Sequence, residues 1–99
     1  ACGAIKGAID QVQLGNLTGL LAKIRPAVDA TAYTGERTAK NYDFVDAVAR
    51  KNVELTLADI RRRSPTIAGL EGKGTIKLAG AMYNLESAVV DFLPTAPAR

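Results

Sequence analysis

From Asn41 to Arg63 the chain carries apolar residues at Val45, Ala49, Val53, Leu57 and Ile60, at steps of four, four, four and three. Those steps follow the turn of an α-helix, so the five side chains share one stripe. Phe44, Val48 and Leu55 widen it. A helix with so broad an apolar face needs a surface to lie on, from the rest of the chain or from another chain. Asn41 or Asp43 can cap its start, and Arg61, Arg62 and Arg63 followed by Pro65 end it. The three cations suit the negative end of the helix dipole, which makes them a solvated helix end rather than a phosphate patch.

The flanking segments are read from this helix outwards. Gly3 to Val12 has helical spacing at Ile5, Ile9 and Val12, with small residues between that allow close packing. Leu14 to Thr18 is a break, with Asn16 as a candidate N-cap. A second helix runs through Leu20, Leu21 and Ile24 to Ala30, where Pro26 is expected to kink it or start a new turn. Thr31 to Lys40, with Gly35 and three threonines, reads as a loop. Ser64-Pro65 restarts a short helix that stops near Gly72.

Thr75 to Tyr83 alternates as a strand with neither face strongly polar, a pattern that suits cover on both sides. A turn at Asn84 to Ser87 returns the chain as a second strand, Ala88 to Phe92, in an antiparallel hairpin. The expected fold class is α/β: helices packed on a partial sheet of one central strand plus a hairpin strand. Residues 1–93 are expected to form a single partial domain, and 94–99 a flexible tail. A two-stranded hairpin is marginal without packing partners, and the unpaired edge of the longer strand invites another chain.

Composition narrows the function classes. The apolar share is 47% and the charged share 23%, too apolar for intrinsic disorder. No apolar run approaches the roughly 18 residues needed to span a bilayer, so no membrane partner is expected. A net charge of +3 and five aromatics that do not interleave with the basic residues exclude a nucleic-acid module. The start has neither the basic region nor the long apolar run of a secretory signal, and localisation stays open. Asn16-Leu17-Thr18 matches a glycosylation sequon by chance. With no histidine and one cysteine, Cys2, the chain builds neither a disulfide nor a Cys-His pair. Asp43 and Asp46 belong to a first helical turn, Asp59 to a surface ion pair, and Glu71 and Lys73 to a glycine turn; none makes an acid-base site.

Cys2-Gly3-Ala4-Ile5-Lys6 at the head of the first helix resembles the segment after the zinc-binding His-x-x-Cys of β-class carbonic anhydrases. Ile24-Arg25-Pro26-Ala27-Val28 resembles the helix that follows a variable loop in that family. Asn52-Val53 and Ile60 to Ile67 resemble its long helix and Ser-Pro break, and Gly80-Ala81-Met82-Tyr83-Asn84-Leu85 its closing strand, usually Gly-x-x-Tyr-Asp-Leu. The order and spacing of these segments cover nearly the whole chain. On this alignment the family's His stands two places before Ala1, with its Cys-x-Asp-Ser-Arg segment further upstream. The chain is thus expected to be a C-terminal portion.

The resemblance implies reversible hydration of CO2 to bicarbonate at a zinc held by two Cys and one His, the metal lowering the pKa of its bound water. It implies that Cys2 is one zinc ligand, that Gly3 lines the substrate pocket, and that Tyr83 lies near a regulatory bicarbonate site found in some members. Two readings follow. In one, the chain is part of a zinc enzyme, inactive alone and completed by an N-terminal segment. In the other, it is a catalytically inactive, self-associating module without metal, Cys2 being a free thiol. Either way a homo-oligomer or a complementary N-terminal segment is the expected partner.

Overall fold

The computed structural model describes residues 2–94. Among them the chain forms α1 (Gly3–Ile9), α2 (Leu17–Ala30), α3 (Tyr42–Arg63), α4 (Pro65–Gly72), β1 (Ala81–Tyr83) and β2 (Val90–Phe92). The α/β class is as expected. The chain divides into two compact units, Ala1–Asn52 and Val53–Arg99, and the division falls inside α3.

The first unit is helical. α1 is short and glycine-containing, and its stability comes from packing rather than propensity. Gly7 brings it close to α2: a Cβ there would stand 3.1 Å from Leu21 Cδ1. The helix ends where Gln11 turns to φ 56, earlier than its apolar spacing suggested, and Val12 is 40% exposed. At the other seam, Arg25 donates from Nη1 to the carbonyls of Ala8, at 3.1 Å, and Ile9, at 3.4 Å, in the last turn of α1, the Ala8 carbonyl also accepting from Gln11 N–H at 3.3 Å.

α2 begins after Asn16 as expected, but the side chain of Asn16 makes no cap bond. Its backbone is already helical, at φ −69 and ψ −17, and the local bond instead runs from Leu14 N–H to Thr18 Oγ1 at 2.8 Å. Pro26 lies inside the helix without ending it. The carbonyl its missing N–H would have bonded belongs to Ala22, on the exposed side. Arg37 closes the far end of α2, donating at 2.9 Å from Nη1 to Thr31 O and from Nη2 to Val28 O. The same guanidinium lies 4.7 Å from the ring centre of Phe44, which also meets the Tyr33 ring at 5.3 Å. The polar 31–40 stretch is therefore a structured loop. Phe44, Val45 and Val48 of α3 are completely buried, and with Ile5, Ala8, Ile9, Leu21, Ala27 and Val28 they form this unit's core.

The second unit is built on the rest of α3. Ser64 is extended and its Oγ accepts from Ile67 N–H at 3.2 Å, with Pro65 opening α4, as the Ser-Pro signal implied. Arg61 departs from the expectation of a solvated end. It forms a two-bond ion pair with Glu71, Nε to Oε1 at 2.7 Å and Nη2 to Oε2 at 2.8 Å. Arg62 pairs with Asp59 at 2.8 Å on the surface, the role expected for Asp59.

The hairpin is antiparallel, with Ala81 opposite Phe92, Met82 opposite Asp91 and Tyr83 opposite Val90. Its strands have three residues each, shorter than Thr75–Tyr83 and Ala88–Phe92. Among the described residues no strand pairs with residues 75–80, and a strand exists only where a ladder holds it. The expected strand is therefore shortened to its last three residues, and with β2 these form the small antiparallel sheet of the α/β fold described. The turn is longer than Asn84–Ser87: Asn84 Oδ1 accepts from the N–H groups of Glu86 and Ser87, and Ala88 adopts φ 59 before β2 begins. Gly80 is where the hairpin approaches α3. The expected 94–99 tail lies outside the described residues beyond Pro94.

Candidate functional site

Cys2 is the N-cap residue of α1, with extended backbone at φ −76 and ψ 128. It is a free, exposed thiol. Its carbonyl accepts from Lys6 N–H at 3.1 Å, so the backbone of Cys2 starts the helix while its side chain takes no part in capping. Gly3 is the first helical residue, and a Cβ added there would meet nothing within 4 Å. The surface beside Cys2 is open at that point.

One turn on, Lys6 holds its ammonium 4.8 Å from the centre of the Tyr42 ring. That places a cation–π contact between α1 and the start of α3, worth about 0.5–1 kcal/mol at an exposed site. Together with Arg25 on the Ala8 and Ile9 carbonyls and Leu21 against Gly7, it fixes α1 and hence the position from which Cys2 projects. Neither Arg25 nor Lys6 was singled out by sequence reasoning. A lone Arg or Lys at a helical position carries no local signal of the carbonyl or ring it will reach.

A tetrahedral zinc site takes four donors, three from protein when a water completes the shell. Among the described residues no group of three or more His, Cys, Asp or Glu side chains could hold a metal. Cys2 is one thiolate donor, and the sequence contains no histidine. The described residues do not fit a zinc shell by themselves.

Tyr83 ends β1 in the second unit and is 58% exposed. Leu85, Val89, Val90 and Phe92 are exposed around it, with Phe92 at 73%. Of the sequence candidates, Cys2 and Gly3 are adjacent in the first unit, and Tyr83 belongs to the second.

Among the described residues, the one pair of perturbed acid and base groups is also in the second unit. The bond from Arg61 holds the Glu71 carboxyl below its ordinary value, against the opposing effect of burial, and the charge of Arg61 and the Leu78 N–H add to the lowering. Arg61 is correspondingly raised. Both groups are held in their charged forms, which suits a structural clamp rather than a proton shuttle.

Among the described residues no helix is long and apolar enough to cross a membrane. In comparisons with known proteins, the family model for carbonic anhydrase matches residues 1–90. No curated protein and no solved structure matches the chain.

Proposed function

This chain belongs to the carbonic anhydrase family, and from that premise we propose that it is a portion of a β-class enzyme of reversible CO2 hydration, contributing one zinc ligand, Cys2. The observation that supports this is the coincidence of the family match over residues 1–90 with a free, exposed thiol at the head of α1. Gly3 lies beside that thiol with open space where a side chain would be, and is assigned to the wall of the substrate pocket.

The same donor set defines what the chain lacks. A single thiolate binds Zn²⁺ weakly compared with a full shell, because each further ligand is what offsets dehydration and ordering. The remaining Cys and His donors, and the Asp-Arg pair of the family's upstream segment, have to come from a complementary polypeptide segment. On this reading the described residues do not by themselves complete a zinc site. Tyr83, exposed at the end of β1, is on this reading the residue near the regulatory bicarbonate site found in some members, whose other residues belong to the family's upstream segment.

Complementation tests this reading. The chain is mixed with a polypeptide that carries the Cys-x-Asp-Ser-Arg segment and ends at the zinc-binding His, with zinc supplied. CO2 hydration should appear on mixing and be lost with Cys2→Ser. Activity that is indifferent to Cys2→Ser would remove Cys2 from the site.

A second reading is favoured by the apolar surface around Tyr83, Leu85, Val90 and Phe92. A small hairpin exposing this much apolar area suits a self-associating module that binds no metal. It predicts association in zinc-free buffer and no gain of activity on mixing.

A further inference from the structure

Of the ten buried apolar residues among those described, nine lie in the first unit and Leu93 alone in the second. The first unit also satisfies its helix ends through side chains, with Arg25 on α1 and Arg37 on α2. Its central residue, Phe44, is fully buried and touches both Arg37 and Tyr33.

The second unit has little of this. α4 buries no residue, and every residue of β2 is exposed. Val53, Leu57 and Ile60 of α3 are half-buried. What joins its parts is the Arg61–Glu71 pair, the Ser64 cap and one small apolar contact, where Val53, Leu57 and Leu93 close on Gly80. Partly exposed ion pairs stabilise weakly, and a hairpin of two three-residue strands is marginal by itself. Local stability follows buried apolar contact, so segments poor in it open at low free energy while the rest stays folded.

We infer that the chain is a fixed unit and an opening unit joined through α3, with residues 53–94 unfolding and refolding locally while residues 3–52 remain closed. α3 is the conformational joint. Its first half is held by Phe44, Val45 and Val48, and its second half persists only while the surface of residues 53–94 stays in place. This inference stands apart from the zinc assignment and uses no property of Cys2.

Amide hydrogen exchange read by mass spectrometry on the intact chain, at a low and a high protein concentration, tests it. At low concentration, amides of α2 and of α3 up to Asn52 should exchange at least about 100-fold more slowly than those of α4 and the hairpin, the protection ending inside α3. Phe44→Ala should abolish protection in the first unit, whereas Leu93→Ala should leave it within about twofold. Hairpin protection that appears only at high concentration also supports the inference, since assembly then closes the opening unit. Equal protection of both units at low concentration would overturn it, as would a first unit that is unprotected in the unsubstituted chain.

Discussion

Arg61 and Glu71 meet as a two-bond fork, at 2.7 and 2.8 Å, that ties the last turn of α3 to the end of α4. The ten-residue span between them is bent by Ser64-Pro65, which ends one helix and begins the next. A bidentate guanidinium–carboxylate pair carries geometric information that a Lys–Glu pair lacks, so it fixes the angle at this bend as well as contributing energy.

The pair sets a pH dependence. Glu71 titrates below its ordinary value of 4.5 in the folded chain, so between those two values the unfolded state binds more protons. Its contribution is present above pH 4.5 and is lost as pH falls through the folded value. Unfolding midpoints measured from pH 7 down to pH 3 should fall for the unsubstituted chain. Glu71→Gln should start lower at pH 7 and show a flatter fall. An identical acid slope in both proteins would remove Glu71 from the account.

Gly80 is a point of close approach. A Cβ added there would stand 2.6 Å from Val53 Cγ1 and 3.0 Å from Leu57 Cδ1. Val53 is β-branched in a helix and has one favoured rotamer, so it cannot swing aside cheaply. Gly80→Ala should destabilise residues 53–94 by about 1–3 kcal/mol, the usual range for overpacking. The measurement is urea unfolding followed at Tyr83. Val53→Ala in the same chain should restore part of the loss, because it removes the atom that is met first.

Ser64 is the N-cap of α4, with its hydroxyl 3.2 Å from Ile67 N–H. Ser64→Ala should lower stability by about 1 kcal/mol, and Ser64→Asp should retain it because a carboxylate accepts the same bond. Circular dichroism melts compare the three proteins. Equal melts for Ser64→Ala and the unsubstituted chain would show that the cap contributes nothing.

Gln11 holds φ 56, a conformation that favours glycine, at the end of α1. Gln11→Gly should stabilise the first unit by up to about 1 kcal/mol, through relief of the side chain's steric cost. Gln11→Val should destabilise it, since a β-branched residue fits this region worst. Thermal unfolding of the three proteins gives the order.

The legible parts of this fold were those encoded by local chemistry. The α3 stripe, the Ser64-Pro65 restart and the Cys2-Gly3-Ala4 head of α1 each lie within a few residues and were read directly. Asn16 as a cap was not, because its backbone is already helical rather than extended, and its side chain makes no cap bond. Thr75 to Tyr83 shortened to Ala81–Tyr83 because strand propensity describes fitness for a ladder, and the partner strand's last backbone bond is the one from Leu93 N–H to Gly80 O at 2.9 Å. Arg25, Arg37 and Arg61 were opaque for a related reason. Arg25 has one local partner, Asp29 four residues on, but the bonds by which the three hold other segments reach between 6 and 17 residues away, and nothing local marks which distant carbonyl or carboxylate a long cation will find. At the candidate site, Cys2 and Gly3 stood out by their motif, while the contacts that hold α1 in place emerged only from the packing.

On the proposed reading, Cys2 is one ligand of a zinc site that another segment completes. The most direct test is zinc per chain, by elemental analysis, on the purified 99-residue protein after dialysis without chelator. The account predicts a ratio near zero for the chain alone. A ratio near one would contradict it, because a single thiolate would then be holding a metal that needs a full shell.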